Sequence, residues 1–132
     1  MTKPTAIDLR QLPRFTAQLP VQLSTKELTA EGLITNISES GLQIECPHAL
    51  LTNLMPNIIR PDPNIPVYFD LHFQVETTEQ QFCDINLICS VVYLRRKSQS
   101  IYILGCSFKE FQGDSSQQLA DYIQNFAIKS ID

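Results

Sequence analysis

The sequence predicts a mainly all-β fold, in which five to seven antiparallel strands close into a small barrel and one α-helix follows. Apolar and polar residues alternate with a period of two along most of the chain, which is typical of half-buried strands. Predicted strands and helices do not alternate, and this argues against a doubly wound nucleotide-binding fold. So many strands within 132 residues favour a barrel, because closure removes exposed sheet edges.

Each predicted strand presents one apolar face. The clearest is Val67–Val75, where polar residues occupy every second position, so that His72 is expected to be exposed. The successive apolar faces are Leu19, Val21 and Leu23; then, after a segment near Gly32–Ile37, Leu42, Ile44 and Cys46; then Val67, Phe69, Leu71, Phe73 and Val75; then Cys83, Ile85, Leu87, Cys89, Val91 and Tyr93; and finally Tyr102, Leu104, Cys106 and Phe108.

Two connections between these strands are distinctive. Five prolines in the segment 47–66 mark a long connection, because proline cannot donate to a β-ladder. The sequence RRKSQ at 95–99 predicts a basic hairpin turn. We interpret this turn as solvated, with a phosphate contact as the alternative.

The C-terminal segment has the periodicity of a helix that packs on the sheet. Ser115 followed by Gln118 predicts a capping box at its start. We therefore expect one domain over 1–132, with an N-terminal arm at 1–15, a barrel at 16–111 and a helix at 114–129. The apolar stripe of the helix comprises Leu119, Tyr122, Ile123, Phe126 and Ala127.

Composition excludes several classes of function. Fourteen acidic and ten basic residues give a net charge of −4, which disfavours general DNA binding. No apolar run approaches the ~20 residues of a membrane span, and the N-terminus lacks a signal-peptide pattern, so we expect a cytoplasmic protein without membrane insertion. The four cysteines form no CxxC pair and neither histidine lies in a metal motif, so we predict free core thiols and no metal site.

Two arginines in the sequence RQLPR at 10–14 are candidate ligand-binding residues. Pro13 disfavours a helix before it, so the segment is expected to be extended or turned. In an extended chain Arg10 and Arg14 lie on one side, up to ~13 Å apart. Each guanidinium can bind a phosphate or the O6/N7 edge of guanine in bidentate fashion, although two solvated arginines are the alternative.

A second candidate is the sequence NISESG at 36–41, between two predicted strands. Asn36 and Ser38 are two residues apart and share a face at the strand end, where an amide and a hydroxyl could read the polar edge of a base. Gly41 could adopt a positive φ and allow a ligand to approach the backbone closely. The alternative is an ordinary Asx-type turn.

Together these motifs resemble the PilZ domain family, whose signatures are RxxxR in an N-terminal arm and (D/N)xSxxG after the second strand. The resemblance covers nearly the whole chain, including Leu19–Val21 in the first strand and Ile103–Phe108 in the last. It implies a six-stranded antiparallel barrel, with a flexible N-terminal arm and one C-terminal helix, that binds cyclic di-GMP.

Carried over to this chain, the resemblance assigns a role to each motif residue. Arg10 and Arg14 would clamp phosphates and guanine edges. Asn36 would hydrogen-bond a guanine, Ser38 would support it, and Gly41 would keep the loop open.

The chain departs from the family pattern at three positions. Asn36 replaces the commoner aspartate, and Ser40 stands where many members have glycine, which would stiffen the loop. Leu9 replaces an arginine that in the family tends to accompany a stacked ligand dimer, which favours one nucleotide per chain.

We therefore predict a cyclic di-GMP receptor that orders its N-terminal arm on binding and signals to an unidentified protein effector, in motility or biofilm regulation. The alternative is a PilZ-fold adaptor that binds a protein and no nucleotide. We expect no enzymatic activity, no catalytic residue and no cofactor besides the ligand. A homodimer is one possible assembly.

Overall fold

The computed structural model describes residues 15–25, 29–38, 40–48, 66–76 and 81–131. Arg10 and Arg14, with the rest of the predicted arm before residue 15, lie outside the described residues. The elements are β1 (Phe15–Ser24), β2 (Thr29–Ile37), β3 (Gly41–Pro47), β4 (Tyr68–Glu76), β5 (Phe82–Arg96), β6 (Ile101–Phe111) and a helix, α1 (Ser115–Ile131).

The six strands form one closed barrel in the order β1-β2-β3-β6-β5-β4, in which β1 pairs with β4 to complete the ring. Every pair of neighbours is antiparallel. The predicted six-stranded antiparallel barrel with a C-terminal helix is thus confirmed. Strands β1, β3 and β5 begin at one end of the barrel, which we call the upper end, and β2, β4 and β6 finish there.

The predicted apolar faces build the core. In β4 exposed and buried residues alternate strictly, and His72 lies on the exposed face as expected, with Nε2 3.2 Å from Asp84 Oδ1. Three of the four cysteines are buried as free thiols and Cys83 is half-buried. The most deeply buried large side chains are Leu23, Ile34, Ile37, Ile44, Phe69, Leu71, Val75, Ile85, Leu87, Leu104 and Leu119.

Strand β5 departs from the predicted alternation after Val91. The register with β6 runs from Val91 opposite Cys106 to Tyr93 opposite Gly105, which leaves Val92 as an extra residue. Such a β-bulge re-aims the side chains that follow it. The prediction that Tyr93 continues the core face is therefore wrong: Tyr93 lies outside the core cluster, and its ring covers Gly105.

Helix α1 closes the upper end of the barrel. Its predicted stripe is buried at Leu119, Tyr122 and Ile123, within the barrel core, and the helix packs chiefly against β5. The side chains of Phe126 and Ala127 lie outside the described residues. Among the described residues, no helix has the length and apolar character needed to span a membrane.

The predicted capping box is wrong in its detail. The backbone N–H of Gln118 donates to the carbonyl of Asp114 (3.0 Å), which makes Asp114 the N-cap residue. The hydroxyl of Ser115 instead accepts a hydrogen bond from the backbone N–H of Asn86 in β5 (2.9 Å). Ser115 therefore joins the helix to the barrel, because β5 extends beyond the last residue of β6 and needs a partner there.

Candidate functional site

The motif at 36–41 forms a tight turn between β2 and β3 at the upper end. The backbone N–H and the hydroxyl of Ser38 both donate to the carbonyl of Gly41, at 2.9 and 3.3 Å. The carbonyl of Ser40 accepts from the N–H of Phe108 in β6 (3.0 Å). These bonds hold the described part of the turn against β6, so it is a fixed feature of the barrel rim.

Gly41 is required for a reason other than the one that the sequence indicated. Its φ is not positive; among the described glycines only Gly113 has a positive φ (56°). A Cβ at position 41 would lie 2.0 Å from the carbonyl oxygen of Cys106. Because that neighbour is backbone, the close contact between β3 and β6 admits only glycine at this position.

Asn36 belongs to a polar row that crosses four adjacent strands. It pairs with Gln43 of β3, Gln43 pairs with Gly105 of β6, and Gly105 pairs with Tyr93 of β5. The residues beside Gln43 and Gly105 in their strands, Leu42, Ile44, Leu104 and Cys106, are buried in the core, so the row lies on the outer surface of the barrel. We call these four residues the cross-strand row.

Hydrogen bonds connect the side chains of the cross-strand row. Asn36 Nδ2 donates to Gln43 Oε1 (3.4 Å), and Gln43 Nε2 donates to the hydroxyl oxygen of Tyr93. Gly105 leaves room for these hydrogen-bonded side chains, because a Cβ at position 105 would lie 2.1 Å from the Tyr93 ring. Asn36 Oδ1 is buried and has no hydrogen-bond partner among the described residues.

Sequence reasoning named Asn36 as a candidate but did not name Gln43 and Tyr93, which adjoin it in the cross-strand row. The strand register shifts just before Asn36 in β2, as it does just before Tyr93 in β5. Bulges often lie next to functional sites, where they re-aim a side chain. The polar residue Gln43 between two core positions was a visible signal of an outward-facing side chain, whereas nothing in the sequence marks the bulge at Val92.

The start of β1 lies beside the same turn. Phe15 pairs with Ile37 and Thr16 pairs with Asn36 at the upper end of the barrel. The chain before residue 15, which contains Arg10 and Arg14, therefore enters the described fold next to the motif residues Asn36 and Ser38. The positions of the two arginines themselves lie outside the described residues.

The basic turn at 95–99 lies at the opposite end of the barrel. Lys97 forms an ion pair with Glu45, and the guanidinium of Arg96 donates to the hydroxyl of Tyr102 (3.1 Å) and lies 5.3 Å from the centre of its ring. The seven residues of β3 separate this turn from Gly41 by about 20 Å at ~3.3 Å per residue. The turn is exposed as predicted and lies away from the motif residues.

The environments of two buried thiols, Cys46 and Cys106, disfavour their ionised form. Burial raises the pKa of Cys46 from 9.0 to about 12. A hydrogen bond with Cys89, together with burial, holds the pKa of Cys106 well above its ordinary value. Both groups are therefore neutral thiols near pH 7 and poor nucleophiles. Within the described part of the chain, no cluster of His, Cys, Asp and Glu could hold a metal ion.

Comparison with known proteins identifies both the sequence family and the fold. The PilZ domain profile matches residues 8–125. The fold is similar to the Bacillus subtilis inhibitor of motility, MotI/DgrA, with a TM-score of 0.63 and 18% identity over 94% of this chain. It is also similar to Borreliella burgdorferi PlzA in complex with c-di-GMP, with a TM-score of 0.57 and 12% identity over 92% of this chain. A third similar structure is K. pneumonia MrkH, with a TM-score of 0.56 and 19% identity over 95% of this chain.

This chain spans about half the length of each of these structures: 52% of MotI/DgrA, 53% of PlzA and 51% of MrkH. No curated protein matches it by sequence.

Proposed function

This chain belongs to the PilZ domain family, and from that membership we propose that it is a receptor for cyclic di-GMP that signals to a protein partner. One observation carries the proposal: β1, which directly follows the RQLPR motif, begins beside the Asn36–Gly41 turn. This connectivity favours a joint site for the two family motifs at the upper end of the barrel.

Chain connectivity supports a joint site. Arg14 directly precedes Phe15, so its Cα lies about 3.8 Å from that of Phe15, whose partner in β2 is Ile37. Arg10 is four residues earlier, at most about 14 Å farther along an extended chain. Both guanidinium groups can therefore reach the rim near Asn36 and Ser38.

The ligand's chemistry matches these groups. Cyclic di-GMP carries two phosphates and two guanines, and an arginine can bind either a phosphate or the O6/N7 edge of guanine. The protein's net charge is −4, so attraction for a dianion has to come from a local pair of cations such as Arg10 and Arg14. The amide of Asn36 and the hydroxyl of Ser38 add neutral hydrogen-bonding groups.

The structure of PlzA holds c-di-GMP on a related fold, which supports the choice of ligand. We further propose that ligand binding draws the arm onto the rim and that the arm and ligand together form the surface read by a protein effector. As a receptor for a bacterial second messenger, the protein would act in the cytoplasm and carry out no catalysis. Regulation of motility is the output that the likeness to MotI/DgrA suggests.

Calorimetric titration with cyclic di-GMP tests the proposal. Arg10→Ala and Arg14→Ala should each weaken binding about ten- to 100-fold, since hydrogen bonds to charged groups contribute ~1.5–3 kcal/mol. Thermal unfolding of both free variants should match the wild type, because the core consists of strand and helix residues.

Arg95→Ala is the matched control, because Arg95 is exposed at the lower end of the barrel, and it should bind like the wild type. Folded wild-type protein that gives no binding heat at micromolar concentration would rule out the receptor function. It would favour the adaptor that binds a protein and no nucleotide.

A further inference from the structure

The amide of Asn36 can present either of two different atoms to a ligand. Its oxygen accepts hydrogen bonds and its nitrogen donates them, and a half-turn about the last side-chain bond exchanges the two. The aspartate that the family motif also allows presents an acceptor in both orientations. A receptor that uses asparagine therefore needs something to set the orientation of the amide.

The cross-strand row supplies that constraint. Asn36 Nδ2 donates to Gln43 Oε1, and Gln43 Nε2 donates to the hydroxyl of Tyr93. The Asn36 amide can turn over and keep a bond to Gln43 only if the Gln43 amide turns with it and the Tyr93 hydroxyl changes from acceptor to donor. The three side chains therefore keep or reverse their orientation together, and in the observed arrangement Asn36 Oδ1 is the atom without a partner among the described residues. A buried acceptor without a partner costs about 1–3 kcal/mol, which a ligand donor would recover.

We propose that Gln43 and Tyr93 are positioning residues that fix the Asn36 amide so that its acceptor, Oδ1, is the atom left for the nucleotide. This inference rests on the proposed function. An acceptor suits the Watson–Crick edge of guanine, where N1–H and the N2 amino group are donors. Oδ1 is covered in the structure, so a guanine that reaches it first displaces a neighbouring group.

Three features of the row support the assignment. Register shifts before Asn36 and before Tyr93 bring these two side chains into the row. Gly105 between them has no side chain, and its Cβ position is occupied by the Tyr93 ring. Gln43 is half-buried, so its amide is held in place rather than exchanging freely with water.

The test is a double-mutant cycle with cyclic di-GMP titrated calorimetrically. Gln43→Leu should weaken binding about three- to tenfold in the wild-type background, the range of one or two lost hydrogen bonds. In the Asn36→Asp background the same substitution should change affinity less than about twofold, because a carboxylate offers an acceptor in either orientation.

Tyr93→Phe provides a second variant that keeps the ring over Gly105 and removes only the hydroxyl. It should weaken binding about two- to fivefold in the wild-type background and leave the Asn36→Asp background unchanged. It decides the question if Gln43→Leu fails to fold, as judged by circular dichroism and thermal unfolding.

The outcomes separate this inference from the proposed function. If the wild-type protein does not bind cyclic di-GMP, the receptor function is wrong and the inference falls with it. If the wild type binds, but Gln43→Leu and Tyr93→Phe lower affinity equally in both backgrounds or in neither, the receptor function stands and the positioning role is overturned.

Discussion

Glycine at two positions of the barrel is dictated by neighbours rather than by backbone conformation. A Cβ at Gly41 would overlap the backbone carbonyl of Cys106, and one at Gly105 would overlap the ring of Tyr93. Gly113 has the opposite character, because its φ is positive but the space around its Cβ position is open. In this chain, glycine at position 41 therefore lets β3 approach β6 at the turn of the candidate site.

Gly41→Ala should consequently destabilise the fold. We expect a loss of at least about 2 kcal/mol in the free energy of unfolding, because the clashing oxygen belongs to the backbone of β6 and cannot rotate away. Gly113→Ala should cost only about 1 kcal/mol, the penalty for a positive φ without a steric clash. Urea unfolding followed by circular dichroism measures both values, and equal losses would contradict the steric explanation.

At the residue scale, the sequence predicted those residues of the candidate site that belong to one local motif. Asn36, Ser38 and Gly41 are close in sequence, so their spacing alone predicts a shared turn. Gln43 and Tyr93 are 50 residues apart in sequence. Their strands, β3 and β5, both pair with β6, and the two side chains meet across β6 because Gly105 has no side chain there. Pairing register between distant strands is a tertiary property that a single sequence does not state.

At the scale of elements, the helix and the barrel are joined through polar groups as well as through the core. β5 continues past the end of β6, where Leu87 faces Phe111. Beyond that point the carbonyl of Asn86 accepts from the N–H of Gln112 (3.0 Å), and its N–H donates to Ser115. The loop and the first helical residue thus satisfy the backbone groups of Asn86 on the side of β5 that β6 no longer covers.

Ser115→Ala should therefore weaken the whole fold. The substitution removes the buried hydroxyl that accepts from the backbone N–H of Asn86, a half-buried residue, which costs about 1–2 kcal/mol of unfolding free energy. Ser116→Ala is the matched control, because Ser116 is exposed and occupies the next position of the same helix, and it should change stability by less than about 0.5 kcal/mol. Guanidinium unfolding monitored by circular dichroism distinguishes the two, and a neutral Ser115→Ala would show that the contact is dispensable.

Element types followed from periodicity, whereas element ends and irregularities did not. The alternation in β4 and the 3.6-residue stripe in α1 predicted both elements because each buries one face against the same core. The helix start was misread because Ser115 satisfies a partner in β5 that lies 29 residues away in sequence. Likewise, the bulge in β5 depends on its pairing with β6, and the local sequence contains no turn residue that marks it.

At the scale of the whole molecule, the barrel interior is a poor environment for charge. Cys46 and Cys106 belong to the single core cluster of the described residues, together with large aliphatic and aromatic side chains. Burial raises the pKa of Cys46 to about 12, compared with 9.0 for an ordinary thiol. The unfolded chain therefore loses this proton at a lower pH than the folded protein does, and alkaline conditions favour unfolding.

The contribution of the neutral Cys46 thiol to stability should hence be fully retained below pH 9 and should fall as the pH rises from 9 towards 12. Each such thiol contributes a slope of up to about 1.4 kcal/mol per pH unit, or roughly 2 kcal/mol between pH 9 and 10.5. Cys46→Ala removes one of these groups, so its unfolding free energy should fall less steeply with pH than that of the wild type. Urea unfolding at several pH values under reducing conditions checks this, and parallel curves would contradict it.

The two ends of the barrel have different environments, and this allows an internal comparison for the proposed arm movement. The turn at 36–41, the start of β1 and helix α1 share the upper end, whereas the exposed basic turn at 95–99 lies at the lower end. Trypsin cleaves after arginine and lysine, so the candidate ligand-binding residues Arg10 and Arg14 are themselves cleavage sites. Lys97 provides a reference site about 20 Å away along β3.

If cyclic di-GMP draws the arm onto the rim, the ligand should protect Arg10 and Arg14 selectively. At ten times the Kd about 90% of the protein is bound, so cleavage after Arg14 should slow about tenfold, while cleavage after Lys97 slows less. Mass spectrometry of timed digests gives both rates in one sample, and Arg10→Ala should reduce the protection after Arg14 at the same ligand concentration. Equal protection of both ends would mean that the ligand stabilises the barrel as a whole, because a local change at the rim cannot shield a turn at the opposite end.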